Sequence, residues 1–270
     1  MSRTIAIFST KGGVGKTTIS LNVAESLSLR EKRVLLLDLD LGAPLDMAKM
    51  CDLKPKRAMV DLIPVWEKVK DDKENLKRNF FTPMNPYLDF LPSVLSLRAV
   101  SHLKVEHIEN ILSVFKNLEY DFIIIDGGKN LTDILIKVFD NANLILLILT
   151  PDILSLYQIE WILDTLQSLG FPLKMIKGVL NRSESKGSVS SEEIIFILPI
   201  EFLSQIPSEG KIVGWALNRR IPVVLDSPNS RVAKAIQSLA NTLLSKDAVS
   251  YTHLRAHETR HDLVCRLLLE

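Results

Sequence analysis

Nine consecutive residues near the start of the chain, Thr10-Lys11-Gly12-Gly13-Val14-Gly15-Lys16-Thr17-Thr18, limit its possible folds more than any other feature. They follow an apolar run, Ile5 to Ser9, and lead into a helical period that begins at Thr17. Glycines at 12, 13 and 15 permit positive φ and close backbone approach, so that successive N–H groups, that of Val14 among them, can point at one anion. The helix behind them adds its own free donors and the positive end of its dipole. The stretch satisfies G-x-x-x-x-G-K-[ST] except at the first position, which is Thr10, with Lys11 beside it. In that pattern Gly12 to Thr18 cradle a nucleotide, Lys16 neutralises β- and γ-phosphate oxygens, and the Thr17 hydroxyl ligates Mg2+. A tight strand-to-helix turn would account for the glycines but not for the Lys-Thr-Thr that follows them.

The end of the chain is set aside before the fold is argued. Residues 249–259 (VSYTHLRAHET) and 263–269 (LVCRLLL) resemble a translated sequencing-library adapter, in one frame and in the right order, with Arg260 and His261 where a variable index falls. Residues after about Asp247 are therefore read as a foreign tail, expected to be disordered, and the natural C-terminus as missing. The tail holds three basic and three acidic residues, so the formal net charge of +1 is unchanged. That balance gives no bulk electrostatic case for wrapping DNA or coating an anionic membrane. Of the two cysteines only Cys51 precedes the tail, which excludes an intrachain disulfide or a cysteine metal cluster within one subunit. The longest apolar run, Leu144 to Leu149, is far short of the roughly 18 residues that span a bilayer, and the first residues lack the core of a signal peptide. The expectation is a cytoplasmic protein, with recruitment to the inner membrane face or a cell pole left open.

The 47% of hydrophobic residues is enough for a sizeable core. Strand-like runs occur at Ile5 to Ser9, Val34 to Asp38, Leu88 to Leu91, Phe122 to Asp126, Leu144 to Leu149, Met175 to Leu180 and Phe202 to Ile206. Most are apolar throughout, the pattern of strands covered on both faces. Helical periods lie between them, at Thr17 to Leu29, Val105 to Leu118, Leu131 to Asp140, Ser155 to Leu169, Ser191 to Ile197, Lys211 to Leu217 and Arg231 to Leu244. This rhythm predicts one α/β domain over residues 1–247, a doubly wound and mainly parallel sheet with helices on both faces. The charged stretch Glu67 to Arg78 is expected to be a solvated helix or excursion.

Acids end two of the expected strands. Asp38 and Asp40, two residues apart, project to the same side, toward the crevice where open α/β sheets bind ligands. Helix capping of residues 43–50 is the competing role for either. Asp126 closes the apolar run that begins at Tyr120.

Residues 11–18 resemble the deviant Walker A motif of ParA/MinD-type P-loop ATPases, and Leu35 to Gly42 resembles that family's second motif. The likeness runs over about residues 3–245. It implies ATP and Mg2+ as cofactors and a homodimer in the ATP-bound state. In that dimer Lys11 would reach the partner's phosphates, Asp40 would orient the attacking water, and Asp38 would border the metal. Asp126 matches Walker B, where it would hold a metal-bound water. Gly127-Gly128-Lys129 departs from the small-residue-x-Pro usual in MinD-like members, which puts the hydrolysis rate in question. Asn181 matches the family's adenine-contacting asparagine, with an Asx-type turn as the alternative, and Pro207 lies in a loop like the one that packs around the purine.

Within the family, residues 150–170 and 177–194 look most like the CpaE/TadZ pilus-assembly branch. That implies a pole-, membrane- or secretion-associated protein partner. MinD-like and ParA-like DNA-partition proteins are the close competitors, as is an ATP-bound scaffold with negligible hydrolysis. Lys174, Lys177, Arg182, Lys186, Lys211, Arg219 and Arg220 could serve DNA, but they are scattered, so direct DNA binding is the less expected role. An iron-protein type of reductase is excluded, because its cluster needs two cysteines per subunit.

Overall fold

The computed structural model describes residues 2–185 and 189–245. The adapter-like tail and its boundary near Asp247 lie outside the described residues, as does Lys186.

Strand β1 (Arg3–Phe8) leads through the glycine loop into helix α1 (Lys16–Ser28) and on to β2 (Val34–Asp38). Helix α2 (Asp46–Met50), a 3-10 segment (Met59–Val65), α3 (Trp66–Val69) and α4 (Lys73–Phe80) precede a hairpin of β3 (Thr82–Asn85) and β4 (Leu88–Pro92). Then come α5 (Val105–Phe115), β5 (Phe122–Asp126), α6 (Asp133–Asn141), β6 (Leu144–Leu149) and α7 (Ile153–Ser168). The chain continues through β7 (Ile176–Asn181), α8 (Ser191–Ile197), β8 (Glu201–Ile206), α9 (Gly210–Arg219), α10 (Val223–Asp226) and α11 (Arg231–Leu244).

The eight strands form one sheet in the order β3-β4-β2-β5-β1-β6-β7-β8, parallel except for β3. The expected doubly wound sheet is therefore present. Strands β2, β5 and β6 are buried on every residue, which is why they read as continuous apolar runs rather than as alternation. One face is covered by α1, α2, α10 and α11, with Val23, Leu27, Ile236 and Leu239 packed on Ile5, Ile7 and Leu146. The other is covered by α4 to α8 around Phe8, Phe115, Phe139 and Phe171. Phe139 contacts both Phe8 and Phe171 edge-on, at centroid distances of 5.6 and 6.0 Å.

Several elements differ from the sequence expectation for local reasons. The antiparallel edge strand β3 carries Pro83 and does not alternate cleanly, a composition tolerated only at an edge. The charged stretch from Glu67 is two short helices, with Asp72 capping α4 by accepting from Asn75 N at 3.0 Å. Helix α7 starts two residues earlier than the periodicity suggests, because Asp152 caps it by accepting from Ser155 N.

Candidate functional site

Strand β1 is central: the chain leaves it for β2 on one side and later passes from β5 to β6 on the other. The strand order thus reverses at β1, and the crevice beyond its C-terminal end is where a ligand is expected in such a sheet. The glycine loop occupies that position. Gly13 and Gly15 take φ of +75° and +100°, conformations that only glycine adopts without strain. Gly15 is also the residue preceding α1, so the first amides of the helix open into the same space. Space is as restrictive as the dihedral, since a Cβ at Gly15 would lie 2.5 Å from Asn181 Nδ2.

A cleft of about 440 Å³ is lined by Gly12, Gly13, Gly15, Lys16, Thr17, Thr18, Asp38, Asp40, Met47, Met50, Lys129 and Arg182. Most of the residues assigned to phosphate and metal thus converge in one place. Val14 lies underneath, buried at 1% exposure. A larger hollow, about 620 Å³, lies at the opposite end of the strands around Arg3, Lys32, Arg33 and Lys116, away from the glycine loop.

The electrostatics of the cleft are unbalanced. Lys16 is 6% exposed, and its ammonium donates to the carbonyl of Lys11 at 3.3 Å. Burial pushes its pKa down; Asp126 and Asp40 oppose the shift and Lys129 adds to it. Asp38 and Asp126 are neighbours in register at the ends of β2 and β5. Burial raises the pKa of both carboxyls, and for Asp38 the charge of Asp126 is the next cause. Asp126 Oδ1 accepts from Gly128 N at 3.3 Å, whereas the fully buried Oδ2 has no hydrogen-bond partner among the described residues; the Thr17 hydroxyl stands beside the carboxyl and favours its charged form.

An orphaned carboxylate oxygen beside a second buried acid and a threonine hydroxyl is a donor set that fits a hard divalent cation. Among the described residues no group of three or more His, Cys, Asp or Glu could hold a metal alone.

Asp40 stands at the rim, half-buried, its Oδ1 accepting from Gly42 N at 3.0 Å. Neither Asp38 nor Asp40 caps α2, which follows Leu45, so the capping alternative is removed. Asn181 does not face the cleft: its amide donates to Val14 O at 2.7 Å and holds the loop, while its Oδ1 accepts from Arg182 N. Pro207 follows β8, half-buried. Lys11 is drawn away from the cleft onto Asp152 Oδ2 at 2.7 Å. Of the scattered basic residues, Lys177 pairs with Glu201, Arg219 with Asp226 and Arg220 with Asp52, and Arg182 donates to Gly13 O.

The sequence reading missed Asp152, Met47 and Met50, and it noted Lys129 only as part of an unusual loop. Only the capping pattern of Asp152, three residues before Ser155, was visible in the chain, and it says nothing about Lys11.

Residues 2–174 match the family model described as AAA domain. The septum site-determining protein MinD of Thermotoga maritima is 27% identical over 251 residues, which is 90% of this chain and 88% of that protein. In three dimensions the chain resembles a ParA family ATPase from Chlorobium tepidum (TM-score 0.82, 23% identity, 90% of this chain and 98% of that one). It also resembles the MinD of Pyrococcus horikoshii determined with Mg-ADP (TM-score 0.78, 23% identity, 94% and 100%). No helix among the described residues is long and apolar enough to cross a membrane. With its glycine cradle, buried Lys16 and strand-end acids, and with that match over more than half its length, this chain belongs to the AAA-domain family of ParA/MinD-type P-loop ATPases.

Proposed function

We propose that the protein is a Mg2+-dependent ATPase that dimerises when ATP is bound and acts as a spatial positioning or assembly switch. The observation that carries this reading is the convergence on one cleft of the glycine cradle, the buried Lys16, Asp38 and Asp40.

The main-chain amides of residues 12–18 and the α1 N-terminus would grip the phosphates, and Lys16 would meet the β/γ oxygens. Thr17, Asp38 and Asp126 would hold the cation, directly or through water. Mg2+ there supplies charge neutralisation of the phosphates. Asp40, at the rim, is the acid placed to orient a water.

Lys11 takes no part while it stays on Asp152. To reach a partner's phosphates it must leave that carboxylate, which caps α7, and α7 exposes Ile153, Leu154, Tyr157 and Trp161 just beyond. Release of Lys11 and burial of this apolar face are the two changes that a second copy would couple. By analogy with an arginine finger supplied in trans, such a lysine is worth on the order of 10³–10⁵ in rate. Monomers would turn over very slowly.

Asn181 and Pro207 are assigned to the adenine, Asn181 after exchanging its bond to Val14. The pilus-assembly role of the CpaE/TadZ branch rests on residues 150–170 and 177–194, and a MinD-like role has equal support from the relatives. The pairing of Lys177, Arg219 and Arg220 within the chain favours a protein partner over DNA. Calorimetry with ATP, with and without Mg2+, tests the reading: wild type should take up nucleotide only with the metal, and Lys16→Ala should take up none. Light scattering should show dimers with ATP for wild type but not for Lys11→Ala. Mg2+-independent binding, or unchanged dimers in Lys11→Ala, would overturn it.

A further inference from the structure

We propose that Lys129 is a second phosphate-binding lysine acting within one molecule, and that it distinguishes the triphosphate from the diphosphate. The inference rests on the cleft being a nucleotide-phosphate site.

The loop after β5 positions this side chain. Gly127 N donates to Ile7 O at 2.8 Å, and a Cβ at Gly127 would meet Leu135 Cδ1 at 2.6 Å. Gly128, at φ +71°, lies so close to Asp40 that a Cβ there would stand 3.0 Å from its Oδ1 and 3.2 Å from its Cα. Two successive glycines therefore press the loop between α6 and Asp40. The next residue emerges over the glycine cradle, where Lys129 Cδ is 3.9 Å from the position of a Cβ on Gly12.

Lys129 lines the cleft with Lys16 and Asp40, and among the described residues it has no ion-pair partner. Lys11, by contrast, is taken up by Asp152. Within one molecule the ammonium groups that face this space are thus those of Lys16 and Lys129. Two cations lining one cleft are relieved by an anion carrying more than one charge. The loop bearing Lys129 packs on Asp40, the acid assigned to the attacking water, and so approaches the terminal phosphate, which a diphosphate lacks. A solvated loop lysine would have none of these consequences.

Calorimetry of the full chain with Mg2+ and either a non-hydrolysable ATP analogue or ADP distinguishes the two. Losing a charge-assisted contact to the terminal phosphate in Lys129→Ala should weaken the ATP analogue roughly tenfold and ADP by less than about twofold. Lys129→Arg should restore the analogue to within about threefold of wild type. The same loss should appear in a Lys11→Ala background, because the contact is made in cis. Equal weakening of both nucleotides, no weakening, or a loss seen only when Lys11 is present would overturn the assignment. If wild type binds neither nucleotide, the phosphate site itself is refuted, a different outcome from wild-type binding that Lys129→Ala leaves unchanged.

Discussion

Gly15 and Asn181 are 166 positions apart, yet they share one contact whose energetics can be worked out. Gly15→Ala places an L-residue at φ +100°, a backbone strain of about 1–3 kcal/mol. Its Cβ would also lie 2.5 Å from Asn181 Nδ2, the atom that donates to Val14 O at 2.7 Å. The amide must swing away and forfeit a hydrogen bond of about 1 kcal/mol. The single variant should therefore lose about 2–4 kcal/mol. Asn181→Ala alone should lose about 1 kcal/mol, the same bond. In the double variant the obstruction and the bond are both absent, so its loss should fall short of the sum by about 1 kcal/mol. Denaturant midpoints at constant slope, without nucleotide, give all four corners of the cycle. For Gly15→Ala the loss corresponds to roughly 4–16 °C in thermal midpoint for a domain of this size. Additivity within about 0.3 kcal/mol would show that the glycine is required by its dihedral alone and that the Asn181 contact is idle.

Three further outcomes are expected. Glu25, 5% exposed, has its pKa raised by burial, with the 3.0 Å bond from Asn85 Nδ2 opposing; its contribution to stability is present below the unfolded value and is lost as pH rises through the folded one. Glu25→Gln should accordingly raise the thermal midpoint at pH 8 and change it little at pH 4, and no gain at pH 8 would refute this. For Asp152, burial raises the pKa but the bonds from Lys11, Thr150 and Ser155 outweigh it and hold it well below the ordinary value. Its stabilisation is therefore present above the unfolded pKa and is lost as pH falls through the folded one. Asp152→Asn keeps a capping side chain and should cost on the order of 1 kcal/mol or less at neutral pH, since the pair is about a third exposed. In light scattering it should also dimerise at lower ATP, and a higher ATP requirement would refute the holding role of Asp152. Cys51, with its thiol pushed up to about 12 chiefly by burial and then by Glu25, should be alkylated at pH 8 far more slowly than an unfolded thiol, as peptide mass mapping can measure.

The acid–base sign of the strand-end pair bears on how the site works. Asp38 and Asp126 both resist ionisation for as long as no cation meets them. Metal binding therefore also displaces protons, and Mg2+ affinity should rise with pH across the range in which these carboxyls titrate.

The chain alone determined the sheet and the phosphate cradle. Runs such as Val34 to Asp38 and Phe122 to Asp126 read as strands because burial on both faces leaves every position apolar, a local property that spacing reports. Gly13, Gly15, Lys16 and Thr17 were legible for a similar reason: an anion cradle made of consecutive amides is itself contiguous. The edge strand at Thr82–Asn85 was not legible, because it pairs on one side only and tolerates Pro83. Tertiary structure alone decided that Lys11 rests on Asp152, that Asn181 holds Val14, and that Lys129 is laid over Gly12. Each of these joins residues more than a hundred positions apart. Hydrophobic periodicity records how deeply a residue is buried but not which distant residue it meets, and the meeting follows from strand order, here the reversal around β1.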